Sequence, residues 1–293
     1  MASEWPEDGF GDWIGHKTRS VETIRPDLAR RFAVTVSDQD SQFRTGDPAP
    51  IGIHWCIDPP VFTSDRLGPD GHPKKGEFLP AIPLPLRMWA GGALTFFHDL
   101  RVGETVERTS TIESIDRKTG RSGELCFVNV RHDYATDRGA AISELQNIVY
   151  REPSHGAAAP SIPDLPAPDS LRHADPVLLF RYSALTFNGH RIHYDYPYAT
   201  SVEGYADLVV HGPLQATLLM MLARERLGGL TSFHYRGVSA LTCNQDFTLH
   251  AQKGADGLEL SVADAKGVVT MTATARDNSA PGQRAASEFR PGI

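Results

Sequence analysis

Long apolar runs are absent from this 293-residue sequence. No segment approaches the roughly 20 consecutive apolar residues that a membrane-spanning helix needs, which excludes that class. Cysteine is scarce. Cys56, Cys126 and Cys243 are odd in number, far apart and never in C-x-x-C spacing. That argues against a disulfide scaffold or a paired-cysteine motif, and leaves buried reduced thiols as the simple reading. Basic excess is missing too: 29 Lys and Arg against 36 Asp and Glu give a net charge of -7. Non-specific binding to nucleic acid or anionic membrane is disfavoured, so attraction for an anionic small molecule must come from local Arg and Lys. The opening stretch MASEWPEDGFGDWIGHK is acidic and has no apolar core. It matches neither a secretory signal nor an Arg-rich transit peptide, and the cytoplasm is the expected location.

What is present fits a soluble globular chain, with 40% hydrophobic and 22% charged residues. Residues 154–170, SHGAAAPSIPDLPAPDS, read as a linker between halves 1–153 and 171–293, each of domain size. The halves look distantly alike. Each opens with a short helical segment, Pro26 to Val34 and Pro176 to Leu185. Each ends in strand-like segments: 93–97, 105–112, 123–134 and 141–150 in the first, then 232–241, 245–252, 258–263 and 268–275 in the second. DRKTG at 116–120 and GADG at 254–257 read as hairpin turns. Residues 40–92 are rich in Pro and Gly and read as long loops.

The most informative stretch is 181–217, RYSALTFNGHRIHYDYPYATSVEGYADLVVHGPLQAT. It sets three histidines, an Asn and two Asp before the Gly212-Pro213 step. The following run PLQATLLMMLARERLGG predicts a helix, with proline at its first position and Gly228-Gly229 at its stop. It is apolar almost all round, so it should be buried. One buried helix followed by four antiparallel strands predicts an α+β unit whose sheet wraps the helix. A helix start offers unpaired N–H groups, and histidines beside it suggest acid–base chemistry on an activated carbonyl.

These residues resemble the MaoC-type hydratases and dehydratases of the hotdog fold, which act on acyl thioesters. The family's D-x-N-P-x-H loop matches Asn188-Gly189-His190-Arg191-Ile192-His193, and its V-H-G segment matches Val210-His211-Gly212. Phe180 to Asp195 and Asp207 to Leu214 are similar to a two-hotdog subgroup. That subgroup contains mesaconyl-C4-CoA (3-methylfumaryl-CoA) hydratases, itaconyl-CoA hydratases and mitochondrial 3-hydroxyacyl-thioester dehydratases. LPLRMWAGG (84–92) and KTGRSGELCFV (118–128) resemble its N-terminal half. The resemblance implies a double hotdog with the two sheets joined edge to edge. The first half, without an equal helix, would form the pocket, and the second half would be catalytic. One departure matters: the family's catalytic Asp is Asn188 here, and a neutral amide can orient a water but cannot be a base.

On the residues alone His193 is either a hydrogen-bonded loop histidine or an acid/base; the resemblance selects the second. It also implies that Asn188 holds a water and that the Gly212 N–H binds the thioester oxygen. His211 is expected to make a structural hydrogen bond below the helix. Tyr182 and Ser183 either line the pocket or pack. Asp195 either orients His193 or caps an adjacent helix or turn. The H-x-x-H of His190 and His193 completes no familiar metal pattern, so no metal is expected. A free substrate carboxylate needs a cation, for which Arg181, Arg191, Arg236 and Arg87 are candidates, Arg191 and Arg236 foremost, with plain surface exposure the simpler reading of any single one. Lys74-Lys75-Gly76 either meets CoA phosphates or only water.

The implied reaction is reversible hydration of an enoyl-CoA, with a C5 dicarboxyl acyl group favoured. CoA is part of the substrate and no cofactor is needed. Dehydration of a 3-hydroxyacyl carrier protein, a hotdog thioesterase and a non-catalytic acyl-CoA binding module are the alternatives. A homodimer is expected, because sheet edges in such folds are often paired.

Overall fold

The computed structural model describes residues 5–6, 9–120, 123–152, 163 and 165–278. Most of the linker segment 154–170 thus lies outside the described residues. The first half runs β1 (Lys17–Thr23), α1 (Pro26–Ser37), β2 (Leu86–Phe96), β3 (Thr105–Gly120), β4 (Gly123–Thr136) and β5 (Gly139–Arg151). The second runs β6 (Ser170–Ala174), α2 (Pro176–Thr186), α3 (Tyr196–Ser201), α4 (Gly212–Leu227), β7 (Ser232–Gly237), β8 (Gln245–Gly254), β9 (Gly257–Asp264) and β10 (Val269–Arg276).

The ten strands form one antiparallel sheet in the order β1-β3-β4-β5-β2-β7-β10-β9-β8-β6. Read inward from either edge the order repeats: the strand before the first helix, three hairpin-linked strands, then a junction strand. The junction is β2 against β7, from Gly91↔Arg236 to Thr95↔Ser232. The expected edge-to-edge joining of two sheets is therefore what the backbone adopts.

The helix α4 forms because Pro213 loses no needed N–H at its first turn, and Gly228, at φ 80°, ends it by donating to Arg224 O at 2.9 Å. Leu214, Ala216, Leu219, Met220 and Ala223 are fully buried. Burying each large apolar side chain is worth about 1.5–3 kcal/mol. Phe233, Leu249, Val262 and Met271 from β7–β10 meet them in one core. The first half has no counterpart of α4 among the described residues. A short 3₁₀ turn, Ile53–Cys56, fills part of that space, and a Cβ on Gly52 would lie 2.8 Å from Thr217 Oγ1 of α4. The cysteines are free and buried, with burial pushing the Cys56 thiol up to about 12.

Two expectations need correction. LPLRMWAGG is not loop: it opens β2 at Leu86, because strand pairing with β5 carries it despite two glycines. β3 continues through Gly120, so the first hairpin turns after DRKTG rather than within it. The edge strands β1 (KTRSVET) and β6 (SLRHA), for which the sequence carries no reading, show no apolar alternation and are held by backbone pairing. The helix α3 carries Pro197 in its first turn and is capped by Asp195, in keeping with the cap reading of that residue. Among the described residues no helix is long and apolar enough to cross a membrane.

Candidate active site

The loop between α2 and α3 holds Asn188, His190 and His193. Phe187 at φ 50° ends α2, and Asn188 N–H donates back to Ser183 O at 2.9 Å. The Asn188 side-chain oxygen then accepts from His190 N at 2.9 Å, an Asx turn that sets the direction of the loop. Its Nδ2 has no partner among the described residues. Asp195 closes the loop by capping α3, accepting from Tyr198 N at 3.1 Å. It also accepts twice from Arg191, at 2.7 and 2.9 Å. Asp195 is thus a cap and a partner of Arg191; no hydrogen bond joins it to His193.

His193 is buried, 7% exposed, and its Nδ1 lies 2.7 Å from Val209 O. A carbonyl only accepts, so Nδ1 holds the proton and Nε2 is left as a lone-pair base. The ring stacks on His211, centroids 3.6 Å apart at 18°. Burial, then neighbouring His211 and His190, hold its pKa well below the ordinary value. His211 is neutral for the same first reason, pushed down to about 3. It pairs with Ser183 Oγ at 2.8 Å, with the Tyr182 ring 5.0 Å away.

His211 immediately precedes α4, so the His193 ring sits beside the N-terminus of that helix. The N–H of Gly212 is among the orphan donors there. A Cβ on Gly212 would lie 2.5 Å from Cε3 of Trp89, which reaches across from β2. Trp89 is itself stacked on Tyr235 at 4.5 Å and met edge-on by Trp55 at 5.6 Å. Trp55 Nε1 donates to both oxygens of the fully buried Glu144 at 3.1 Å. Burial pushes that carboxyl up to about 7. An aromatic wall from the first half therefore faces a helix start from the second.

The loop 66–76 of the first half also joins the site, which local sequence spacing did not reveal. Asp70 O accepts from Arg191 N at 2.9 Å, and Pro69 O from Arg191 Nη1 at 3.0 Å. Gly71, at φ 87°, comes so close to Gly189 that a Cβ would sit 1.9 Å from Gly189 O. His72 Nδ1 pairs with Asp70 Oδ2 at 2.9 Å, and its ring lies 4.1 Å from that of His190. His190 is in turn 5.5 Å from His193 and pairs with Glu203 at 3.2 Å. Asp70, His72 and His190 offer ligand atoms within 4.8 Å of one another. Each of these side chains already makes a hydrogen bond within the protein, and Arg87 adds positive charge beside His72.

His193, Gly212, His211, Ser183 and Tyr182 are thus brought together, with Asn188 on the same loop. Two expected residues are placed elsewhere. Arg191 is a clamp, its guanidinium on Asp195, on Pro69 O and 4.1 Å over the Tyr198 ring. Arg236 alternates with the buried Phe233 and Tyr235 on β7, so it faces solvent on the outer side of the sheet. Arg181 lines a separate cavity with Arg172 and Leu218. Lys75 turns its ammonium onto Ile82 O and Leu84 O.

A sheet of two mirrored five-stranded halves, wrapped on one side around a buried helix whose start holds a base and an orphan N–H, defines a double-hotdog α+β protein. Solved structures agree on that fold. A MaoC-like dehydratase from Phytophthora capsici superposes with a TM-score of 0.68 at 15% identity, covering 92% of this chain and 99% of that one. A Mycobacterium tuberculosis protein described as a double hotdog gives 0.50 at 13%, covering 89% and 96%. The model of the hydroxyacyl-thioester dehydratase type 2 family matches residues 52–243, well over half of the chain. The chain belongs to that family. It is also 40% identical over 267 residues to the mesaconyl-C(4)-CoA hydratase of Chloroflexus aurantiacus, covering 89% of this chain and 95% of the relative.

Proposed function

We propose that the protein is a hydro-lyase that reversibly hydrates a trans-2-enoyl-CoA to the 3-hydroxyacyl-CoA. The acyl group is a C5 dicarboxyl one, mesaconyl-C4-CoA first and itaconyl-CoA second. The observation that carries the chemistry is the bare Nε2 of His193 beside the N-terminus of α4. The identity to the Chloroflexus hydratase supports the acyl group.

In this reading the Gly212 N–H binds the thioester oxygen and draws electron density from Cβ. Asn188, through its free amide, holds a water. His193 Nε2 takes one proton from that water as its oxygen bonds to Cβ, and negative charge gathers on the thioester oxygen. The imidazolium then returns the proton to Cα, which collapses the enolate. The neutral resting state of His193 suits the first step, and the helix start offsets the charge of the second. Tyr182, Ser183 and His211 hold the His193 ring. No metal or redox cofactor enters; CoA arrives with the substrate.

Residues 171–293 are the proposed catalytic unit, 154–170 the connection and 1–153 the pocket-forming unit. A cytoplasmic homodimer is the proposed working form, pairing through the open sheet edges β1 or β6; light scattering of the purified protein measures its mass.

The test follows enoyl absorbance with mesaconyl-C4-CoA and crotonyl-CoA. Loss with mesaconyl-C4-CoA, absent in folded His193→Ala, is expected; itaconyl-CoA, whose double bond is not conjugated with the thioester, is followed by product analysis. Near wild-type turnover in that variant overturns the mechanism. Release of free thiol instead of hydration marks a thioesterase, and turnover confined to carrier-protein thioesters marks the acyl-carrier dehydratase. Thioester binding without any turnover, unchanged in His193→Ala, marks a binding module.

A further inference from the structure

We infer that Arg87, Lys75 and Tyr150, all from the first half, form the subsite for the free carboxylate of the acyl group. They would thereby select dicarboxyl over simple enoyl thioesters. This rests on the hydratase reading above and assigns the part of the substrate that His193 and Gly212 leave unread.

Arg87 on β2 and Tyr150 on β5 are directly opposed in the antiparallel register, so their side chains share one face of the sheet. Tyr150 is fully buried, and among the described residues its hydroxyl finds no acceptor; the Arg87 guanidinium beside it can only donate. Burial holds its pKa above the ordinary value, with the Arg87 guanidinium alongside. It therefore remains a donor whose proton lacks an acceptor. A buried hydroxyl in that condition is costly unless a ligand completes it. Arg87 is half-buried and has no carboxylate within ion-pair distance among the described residues. The nearby Asp70 does not serve it: both Asp70 oxygens are turned to His72, at 3.1 Å to N and 2.9 Å to Nδ1. Lys75 Nζ lies 5.6 Å from the centre of the Tyr150 ring and keeps one N–H beyond those on Ile82 O and Leu84 O. Two cations and one donor thus converge where Asp70 is already engaged by His72 and Glu152 lies on the Lys75 side. A planar carboxylate fits that set, since guanidinium binds it through two parallel hydrogen bonds.

Position agrees with chemistry. Trp89, which covers Gly212, is two residues along β2 on the face that Arg87 uses, roughly 6–7 Å further. In a C5 dicarboxyl enoyl group the free carboxyl carbon is roughly 4 Å from the thioester carbon by ordinary bond lengths. With the thioester oxygen on Gly212, the far carboxylate points along β2 toward Arg87, whose long side chain spans the remainder. On the other flank the rings of His72 and His190 connect this corner to His193.

The experiment measures kcat/KM for mesaconyl-C4-CoA and crotonyl-CoA in wild type, Arg87→Met, Arg87→Lys and Tyr150→Phe. Binding of methylsuccinyl-CoA and butyryl-CoA by calorimetry gives the same ratio without turnover. Arg87→Met is expected to lower the dicarboxyl-to-simple ratio about 100-fold, Tyr150→Phe about 10-fold, with Arg87→Lys recovering part. Equal losses on both acyl groups overturn the assignment. So does a loss seen with both CoA esters that disappears with pantetheine thioesters, which would place a carrier phosphate on Arg87 instead. If Arg87→Met fails to fold, the Arg87→Lys and Tyr150→Phe ratios decide. A wild-type protein that hydrates crotonyl-CoA but neither hydrates mesaconyl-C4-CoA nor binds methylsuccinyl-CoA sinks the substrate reading itself, before any variant is compared.

Discussion

The two halves share a succession of strand, helix and four antiparallel strands, yet they differ in what fills the sheet. In the second half a fully buried helix, α4, occupies the concave face and presents its start to the reaction loop. In the first half the same space holds α1, the 3₁₀ turn at Ile53–Cys56 and the loops up to Leu84. The comparison teaches a division of labour. A regular helix aligns peptide dipoles and exposes its first N–H groups, which suits a developing oxyanion. Irregular chain cannot supply that field, but it can deliver side chains of many kinds to one place. The first half delivers Trp89, Asp70, His72, Arg87 and the Glu144-held Trp55. Neither half has a complete site without the other.

The comparison can be broken most severely at the base. His193→Ala should lower kcat/KM about a thousandfold while far-ultraviolet circular dichroism stays unchanged, because general-base catalysis is lost and the surrounding sheet is not. No single substitution in the first half should match it. Next comes the contact between halves. Gly212→Ala puts a methyl 2.5 Å from Trp89 Cε3, and such overpacking costs about 1–3 kcal/mol of stability. Activity should fall about 100-fold. Adding Trp89→Leu should restore the melting temperature but only part of the activity; no recovery of stability would show that the clash is not with the first half.

Glu144 sharpens the comparison through pH. Its folded pKa, about 7, is raised above the ordinary 4.5. The stability it contributes is present below about 4.5 and is lost as pH rises through about 7, because the unfolded chain ionises first. The difference reaches about 3 kcal/mol. Chemical denaturation of wild type and Glu144→Gln at pH 4.5 and 8 should show it, the variant losing less stability on going up in pH. Parallel curves would mean that the first-half wall is not built on a neutral acid. The smallest effect belongs to Arg236→Ala, on the outer face of β7, which should stay within about twofold of wild-type kcat/KM for every acyl group.

Several parts were legible before any fold was known, for reasons specific to each. The helix α4 announces itself by an apolar run between Pro213 and Gly228. The hairpin strands β8, β9 and β10 alternate because one face meets that helix. The 188–193 loop and the Val210-His211-Gly212 step are close in sequence to the elements that position them. The polar edge strands β1 and β6 were illegible, since backbone pairing alone leaves no periodicity in side chains. Arg236 looked as good a carboxylate partner as Arg87, because sequence names an arginine but not the face of the strand that carries it.

By itself the sequence determined the local groups: the histidine proposed as base, an amide where an acid could stand, and a helix start opened by glycine. These are set by residues within one or two turns of each other. Tertiary structure alone decided that Trp89 would cover Gly212, that Asp70 and His72 would lean on His190, and that Arg87 and Tyr150 would face each other at the far end of β2. Those neighbours are about 60 to 120 residues apart in the chain. Strand register and the packing of a loop against a loop bring them together, and both follow from the whole core minimising exposed apolar surface rather than from any local pattern.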